Sequence, residues 1–257
     1  MISGYPIWVV MIIGIGVFAA GFVDAIGGGG GIISVPIYLL AGLPTHFALG
    51  TNKMSSCIGT AVSTARYLKN GFVNWMLAIP AAILAMIGAF FGTKIQLAVD
   101  ERILKYVLLV VLPVAAFVLL RQKSLPETEG EMAHAKRRAI VWIGTFLIGI
   151  YDGFYGPGTG TFLLLIYCSF AKLDVRTASG NVKVANFSSN LAALTTSLLA
   201  GKVLIGIGLI AACFSIAGHY VGSGLAIKNG SKIIRPVILF VLSLLLVRVV
   251  LELLGVL

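Results

Sequence analysis

Charge is scarce in this chain. Of its 257 residues only 11% are Asp, Glu, Lys or Arg, only nine are acidic, and 59% are hydrophobic, with a mean hydropathy of +1.04. Soluble domains carry about a quarter charged residues. A single water-facing globule is therefore excluded, and the apolar stretches must be solvated by lipid. No Lys or Arg precedes Lys53. The basic start of a cleavable signal peptide is lacking, so the first apolar stretch is expected to stay in the protein. Cysteine is nearly absent too: Cys57, Cys168 and Cys213 lie far apart in apolar runs. That spacing argues against a metal knuckle or a disulfide framework and for small buried hydrophobes. No G-K-[ST] follows a glycine run at the required spacing, which excludes a Walker loop. Nothing resembles a nucleophile with its base or a cluster of metal ligands, so an enzyme is the poorer reading, and neither cofactor nor metal is called for.

What the chain does have is a set of apolar runs of spanning length. They fall at about 5–23, 47–68, 73–95, 103–121, 138–154, 177–199, 203–227 and 233–256,. Two shorter runs, 32–41 and 161–171, are too short to span as helices, at roughly 1.5 Å per residue against a hydrocarbon core of roughly 30 Å. Each follows a glycine-rich stretch whose backbone can run extended and cover the missing depth. The predicted fold is an all-α polytopic membrane protein of eight long helices and two short Gly-interrupted segments. A polar linker over 122–137 separates a first repeat, 1–121, from a second, 138–257.

The halves match residue for residue. Asp24 pairs with Asp152 at an offset of 128; a two-residue insertion then gives an offset of 130, which pairs Gly50 with Gly180, Lys53 with Lys183, Gly88 with Gly218 and Gly92 with Gly222. The last two pairs form G-x-x-x-G motifs and read as helix packing. The net charge of +10 comes from basic residues scattered among the joints. That distribution carries topology information and points to no nucleic-acid partner. If the short segments cross, the repeats are inverted, and 12 of the 19 Lys and Arg share one side with the linker, while Lys94, Arg102, Lys105 and Lys202 occupy the other. The positive-inside bias then predicts a cytoplasmic linker with both termini outside.

Duplicated, glycine-interrupted segments with ionisable residues point to a transporter whose site lies between its repeats. Lys53 stands with Thr51, Asn52, Ser55 and Ser56; Lys183 stands with Asn181, Asn186, Ser188 and Ser189. One ammonium among neutral donors suits an oxyanion. The plainer alternative is a structural salt bridge with Asp24 or Asp152, or a lysine that snorkels to the surface. The glycine runs, with Gly28, Gly29, Gly30, Gly156, Gly158 and the adjacent Thr159, are expected to bring backbone amides and helix N-termini to the same anion. Asp24 and Asp152 are candidates for proton coupling, or else caps on unwound backbone. His219 aligns with Ala89, lacks a repeat counterpart, and reads as a histidine hydrogen-bonded within the bundle.

The repeated G-x-x-D-x-x-x-G-x-G-x-G pattern, the run P-I-Y-L-L-A-G-L-P-T-H-F-A-L-G-T-N-K over 36–53, and G-N-x-K over 180–183 resemble the TauE/SafE family of membrane proteins. The resemblance covers essentially the whole chain. It is looser in the second repeat, where Pro157 and Val182 replace the glycine and asparagine found at Gly29 and Asn52. It implies transport of a small sulfur oxyanion or organosulfonate, often as export across a bacterial inner membrane. The reading from residues and resemblance together is a secondary transporter using alternating access and protons as a coupling ion. Its rivals are a passive anion channel and a membrane scaffold with structural lysines.

Overall fold

The structure, a computed structural model, describes residues 4–99 and 126–253. Nine α-helices run in chain order among the described residues: α1 Ile7–Gly27, α2 Gly31–Leu40, α3 Thr45–Lys69, α4 Trp75–Ala98, α5 His134–Phe154, α6 Thr159–Leu165, α7 Val175–Leu199, α8 Ile205–Asn229 and α9 Ser231–Leu253. A single π turn, Ile166–Phe170, extends α6. The expected segment at 103–121 lies outside the described residues. By length and composition α1, α4 and α8 can each cross a membrane. Their outward residues, among them Trp8, Ile15, Trp75, Ile79, Phe91, Ile205 and Leu209, are large, apolar and exposed, as lipid-facing surface should be.

The short segments fold back and do not run on through the bundle. Gly28 and Gly29 have φ of 77° and 85°, a left-handed backbone that only glycine adopts without strain. They reverse the chain after α1. A Cβ on Gly30 would strike Ala20, one on Gly16 would meet Ile37, and the Tyr5 hydroxyl donates to the Gly42 carbonyl at 3.4 Å. α2 therefore lies antiparallel to α1 and returns to the end where α1 began. The return to the starting end keeps the parity that inversion needs, but the glycines supply it by a tight turn at two consecutive positive-φ residues and not by the extended stretch expected from the sequence,. The second repeat does likewise: Thr159 meets Asp152, Tyr167 meets Thr145, and the carbonyl of Ala171 accepts from Arg137.

The two inserted residues are now accounted for. Tyr38 and Tyr167, both fully buried, stand 129 apart (167 − 38), between the offset of 128 at the aspartates and that of 130 beyond. One residue enters at the break after α5. The other is absorbed in the π turn, where Ala171 N bonds to Ile166 O in place of the i−4 bond that Ala41 N makes to Ile37 O, the usual signature of a one-residue insertion in a helix.

The repeats interlock. α1 runs beside and parallel to α8, with Gly218 and Gly222 against the backbone of Phe18 and Phe22, and α4 runs beside α5, where a Cβ on Gly88 would lie 2.6 Å from Phe146 O. The G-x-x-x-G motifs are thus packing seams between repeats, at symmetry-equivalent crossings. α3 and α7 meet at the centre of the molecule. Tyr5 and the turns at 41–44 and 200–204 lie at one end; the turns at 70–74 and 171–174, with residues 126–133 and Gly230, lie at the other. Within the first end Leu204 N bonds to Thr51, and within the second Val175 N bonds to Pro126 O, so each set of turns is held to its neighbours. Each repeat enters the bundle from the opposite end, so the halves are inverted.

Candidate functional site

Asp24 and Asp152 sit near the C-terminal ends of α1 and α5, just before the two chain reversals. The reversals abut. The Cβ position of Gly28 falls on the backbone of Gly160 and Thr161, and that of Gly31 lies 3.2 Å from Pro157 Cα. Thr161 Oγ1 also donates to Gly27 O at 2.9 Å. No side chain can be inserted between the Gly28 and Gly160 backbones, so the glycines here serve close approach as well as turning.

Into this junction α3 and α7 each deliver one lysine, and the pairing is crossed. Lys53 of the first repeat lies 2.8 Å from Asp152 Oδ1 of the second, and Lys183 of the second lies 3.4 Å from Asp24 Oδ2 of the first. The Lys183 ammonium also donates to the backbone carbonyl of Asp24, and that of Lys53 donates to Asn190 Oδ1 at 3.1 Å. Each carboxylate is steadied across its own break: Gly30 N donates to Asp24 Oδ1 at 3.1 Å, and Thr159 Oγ1 donates to Asp152 Oδ1 at 2.8 Å. Lys53, Lys183 and Asp152 are buried. Four charges cancelling in pairs is the arrangement that a low-dielectric interior tolerates. One oxygen remains unmatched, since Asp152 Oδ2 is buried with no hydrogen-bond partner.

Two small polar cavities flank the pairs, each about 20 Å³, room for roughly one water,. The central one lies between the repeats and is lined by Asp24, Lys53, Asp152, Thr159, Asn186 and Asn190, with Gly29, Asn52, Ser56 and Gly156 among its walls. The other adjoins it around Asp24 and reaches Gly30, Ser34 and His219. Of the residues singled out in the sequence, Gly29, Asn52, Lys53, Gly156, Thr159 and both aspartates converge on the central cavity. Gly30 lines its neighbour, and Lys183 arrives through its ion pair. Gly28 packs on Gly160. Gly158, with φ of 89°, caps the start of α6.

Thr51 and Asn181 are placed elsewhere. Thr51 Oγ1 accepts from Leu204 N at 3.0 Å, and Asn181 Nδ2 donates to Thr177 O at 2.7 Å, so both serve the helix ends nearby. Asn190 and Ser215 are cavity residues that the sequence reading passed over. A signal existed for Asn190: it follows Lys183 by seven and Asn186 by four, and so shares one face of α7 with both. A like signal existed for Ser215, which precedes His219 by four on α8 and so shares its face,.

The site can be set beside known proteins. The family model for Sulfite exporter TauE/SafE matches residues 12–249. A "Probable membrane transporter protein ORF9" of Sinorhizobium sp is 36% identical over 90% of this chain and 88% of its own length. A "Probable membrane transporter protein" of Haemophilus influenzae is 32% identical over 86% of each. "Probable membrane transporter protein YfcA" of Escherichia coli K12 is 29% identical over 86% of this chain and 82% of its own. No solved structure matches the chain. With nearly its whole length covered by the family model and its paired Asp and Lys motifs meeting at one central junction, this multi-pass membrane protein belongs to the TauE/SafE family.

Proposed function

We propose that the protein is a secondary transporter of small sulfur-containing anions, sulfite or an organosulfonate, that works by alternating access with protons as the coupling ion, carried in the same direction as the anion. Lys53, Lys183, Asn52, Thr159, Asn186 and Asn190 bind the anion at the junction, and the abutting reversals at Gly28–Gly30 and Gly156–Gly160 are the hinge. The linker lies in the cytoplasm and the termini outside, and the membrane is the cell inner membrane.

The crossed Lys53–Asp152 and Lys183–Asp24 pairs carry this reading. They make the site neutral and closed, with room for about one water,. An arriving anion must displace a carboxylate from a lysine and would leave a buried net negative charge, which is costly. Protonating the displaced aspartate restores neutrality, so anion entry and proton uptake become one event. The bending needed to enlarge the cavity falls at glycines, and each lysine answers to a carboxylate of the other repeat, so movement of one repeat against the other changes both pairs at once. The scaffold alternative draws on the same pairs as fixed braces.

Proteoliposome flux decides between them. With sulfite, thiosulfate, sulfate and sulfoacetate tested with and without a pH gradient, saturable flux of a sulfur anion driven uphill by the gradient is the expected result. Flux that follows only the anion's own gradient favours a channel. No flux of any of the four from folded protein overturns the transport reading.

A further inference from the structure

The two ion pairs are related by the repeat, but their surroundings are not. Around Asp24 the neighbouring cavity is walled by Ser34, Asn52, Ser55, Ser215 and His219. At the matching positions the other repeat has Val182 for Asn52, Ala185 for Ser55, Ala85 for Ser215 and Ala89 for His219, and the run Phe162–Leu163–Leu164 in place of Ser34. The walls beside Asp24 carry more polar side chains than the matching positions beside Asp152, although Ser56 is matched by Asn186 and Val17 by Thr145. Duplication alone would have made the two equal.

His219 is the residue that gives this cavity a purpose. Its ring is 1% exposed, neither nitrogen has a hydrogen-bond partner, and Nε2 lies 3.6 Å from Asp24 Oδ2. The ring packs directly on Gly59, where a Cβ would come within 2.8 Å of His219 Cδ2, so the absence of a side chain there is what seats the imidazole beside Asp24. An imidazole kept in a membrane interior without a partner is an expensive choice unless it serves a proton. The other titratable groups around Asp24 are Lys183 from α7; Tyr38 from α2, whose hydroxyl is engaged with Ser55 at 3.0 Å; and Lys53 and Cys57 from α3. Asp152 of α5 lies across the central cavity. α9 reaches this region through Val237, Ile238 and Val241, which do not titrate.

We propose that Asp24 and His219 hold the coupling proton between them, and that the anion is taken on the Lys53–Asp152 side. The inference rests on the transport reading above and divides its labour. The two cavities share Asp24, Gly31, Asn52 and Ser56 as walls, so the proton and the anion occupy adjoining chambers. A proton entering the His219 chamber neutralises Asp24 and frees Lys183 to face the central cavity. When the proton leaves on the other side of the membrane, Asp24 recaptures Lys183 and the anion loses that lysine.

Two measurements on the full chain test this. The protein has three histidines, so histidine labelled with nitrogen-15 in lipid nanodiscs gives a spectrum in which His219→Gln assigns the His219 ring. Asp24→Asn should move its titration midpoint by about one pH unit or more, with no comparable movement in Asp152→Asn. A His219 ring that does not titrate, or that responds alike to both substitutions, overturns the proposal. In proteoliposomes, His219→Gln should bring the sulfite accumulation ratio under a pH gradient down to about one, and accumulation at the wild-type ratio overturns it. Absence of sulfite flux from the wild-type protein refutes the transport reading, and the histidine titration then still decides whether Asp24 and His219 share a proton.

Discussion

Lys53 reaches across the molecule to Asp152, 2.8 Å away, and leaves the aspartate of its own repeat to Lys183. Breaking one such buried pair strands the other charge, at a cost of about 3–5 kcal/mol, whereas removing both charges is far milder. Lys53→Gln is therefore expected to be strongly destabilised and Lys53→Gln/Asp152→Asn largely restored, as read by thermal unfolding in detergent. The crossing itself is tested by the mismatched double variant: Lys53→Gln/Asp24→Asn should stay as unstable as the sum of its singles. Rescue by Asp24→Asn would mean that the pairs lie within repeats.

In the restored Lys53→Gln/Asp152→Asn background, the loss of one ammonium should weaken sulfite binding by roughly 1.5–3 kcal/mol, the scale for a hydrogen bond to a charged group. Binding can be followed as ligand stabilisation: sulfite at about one hundred times its Kd raises wild-type unfolding free energy by about 2.7 kcal/mol. An equal rise in the double variant at the same sulfite concentration would return Lys53 to a purely structural role.

Gly88→Val and Gly218→Val should both fail to yield folded protein, because the added atoms would meet backbone of the neighbouring helix, 2.6 Å from Phe146 O in the case of Gly88, and backbone cannot turn aside. Gly29 is different in kind. Its nearest neighbour would be a side-chain methyl, Val241 Cγ1 at 2.6 Å, but its φ of 85° resists a branched side chain,. Gly29→Ala is expected to fold in reduced yield and to lose transport. Size-exclusion profiles and flux, measured together, check both statements; normal profiles for Gly88→Val would refute the seam.

Labelling should place Gly4 and Thr128 on opposite sides of the membrane. In a background with Cys57, Cys168 and Cys213 replaced by alanine, Gly4→Cys should react with an impermeant maleimide added outside, and Thr128→Cys only after the membrane is opened. Reaction of both from one side would refute the inverted arrangement.

Much of this architecture could be read from the residues. Scarce charge and long apolar runs require lipid-solvated helices, and the recurrence of a D-x-x-x-G pattern and a lysine at offsets of 128 and 130 requires a duplicated unit. The inversion followed from the basic residues, because segment parity and the positive-inside bias restrict the arrangements that fit. Asn186 and Ser56 were visible in the polar clusters beside the lysines. Thr51 and Asn181 stood in the same clusters, yet their side chains turn to Leu204 N and Thr177 O. Adjacent positions on a helix point about a hundred degrees apart, so closeness in sequence did not put them on the lysine's face.

Sequence by itself determined that the chain is a duplicated membrane protein and that two lysines and two aspartates hold equivalent places in its halves, because composition and periodicity are properties of the chain alone. Only the tertiary structure decided which lysine meets which aspartate. That choice depends on how the repeats interlock, with α1 against α8 and α4 against α5 through glycine seams that carry no mark of their partner. It also decided that the short segments turn back, since the sign of φ at Gly28 and Gly29 is open to glycine in either sense and is set by the packing of Gly160 and Val241 around them. His219 became more than a bundle residue for the same reason. Its chemistry is written in the chain, but its aspartate comes from another helix of another repeat, brought within 3.6 Å by the fold.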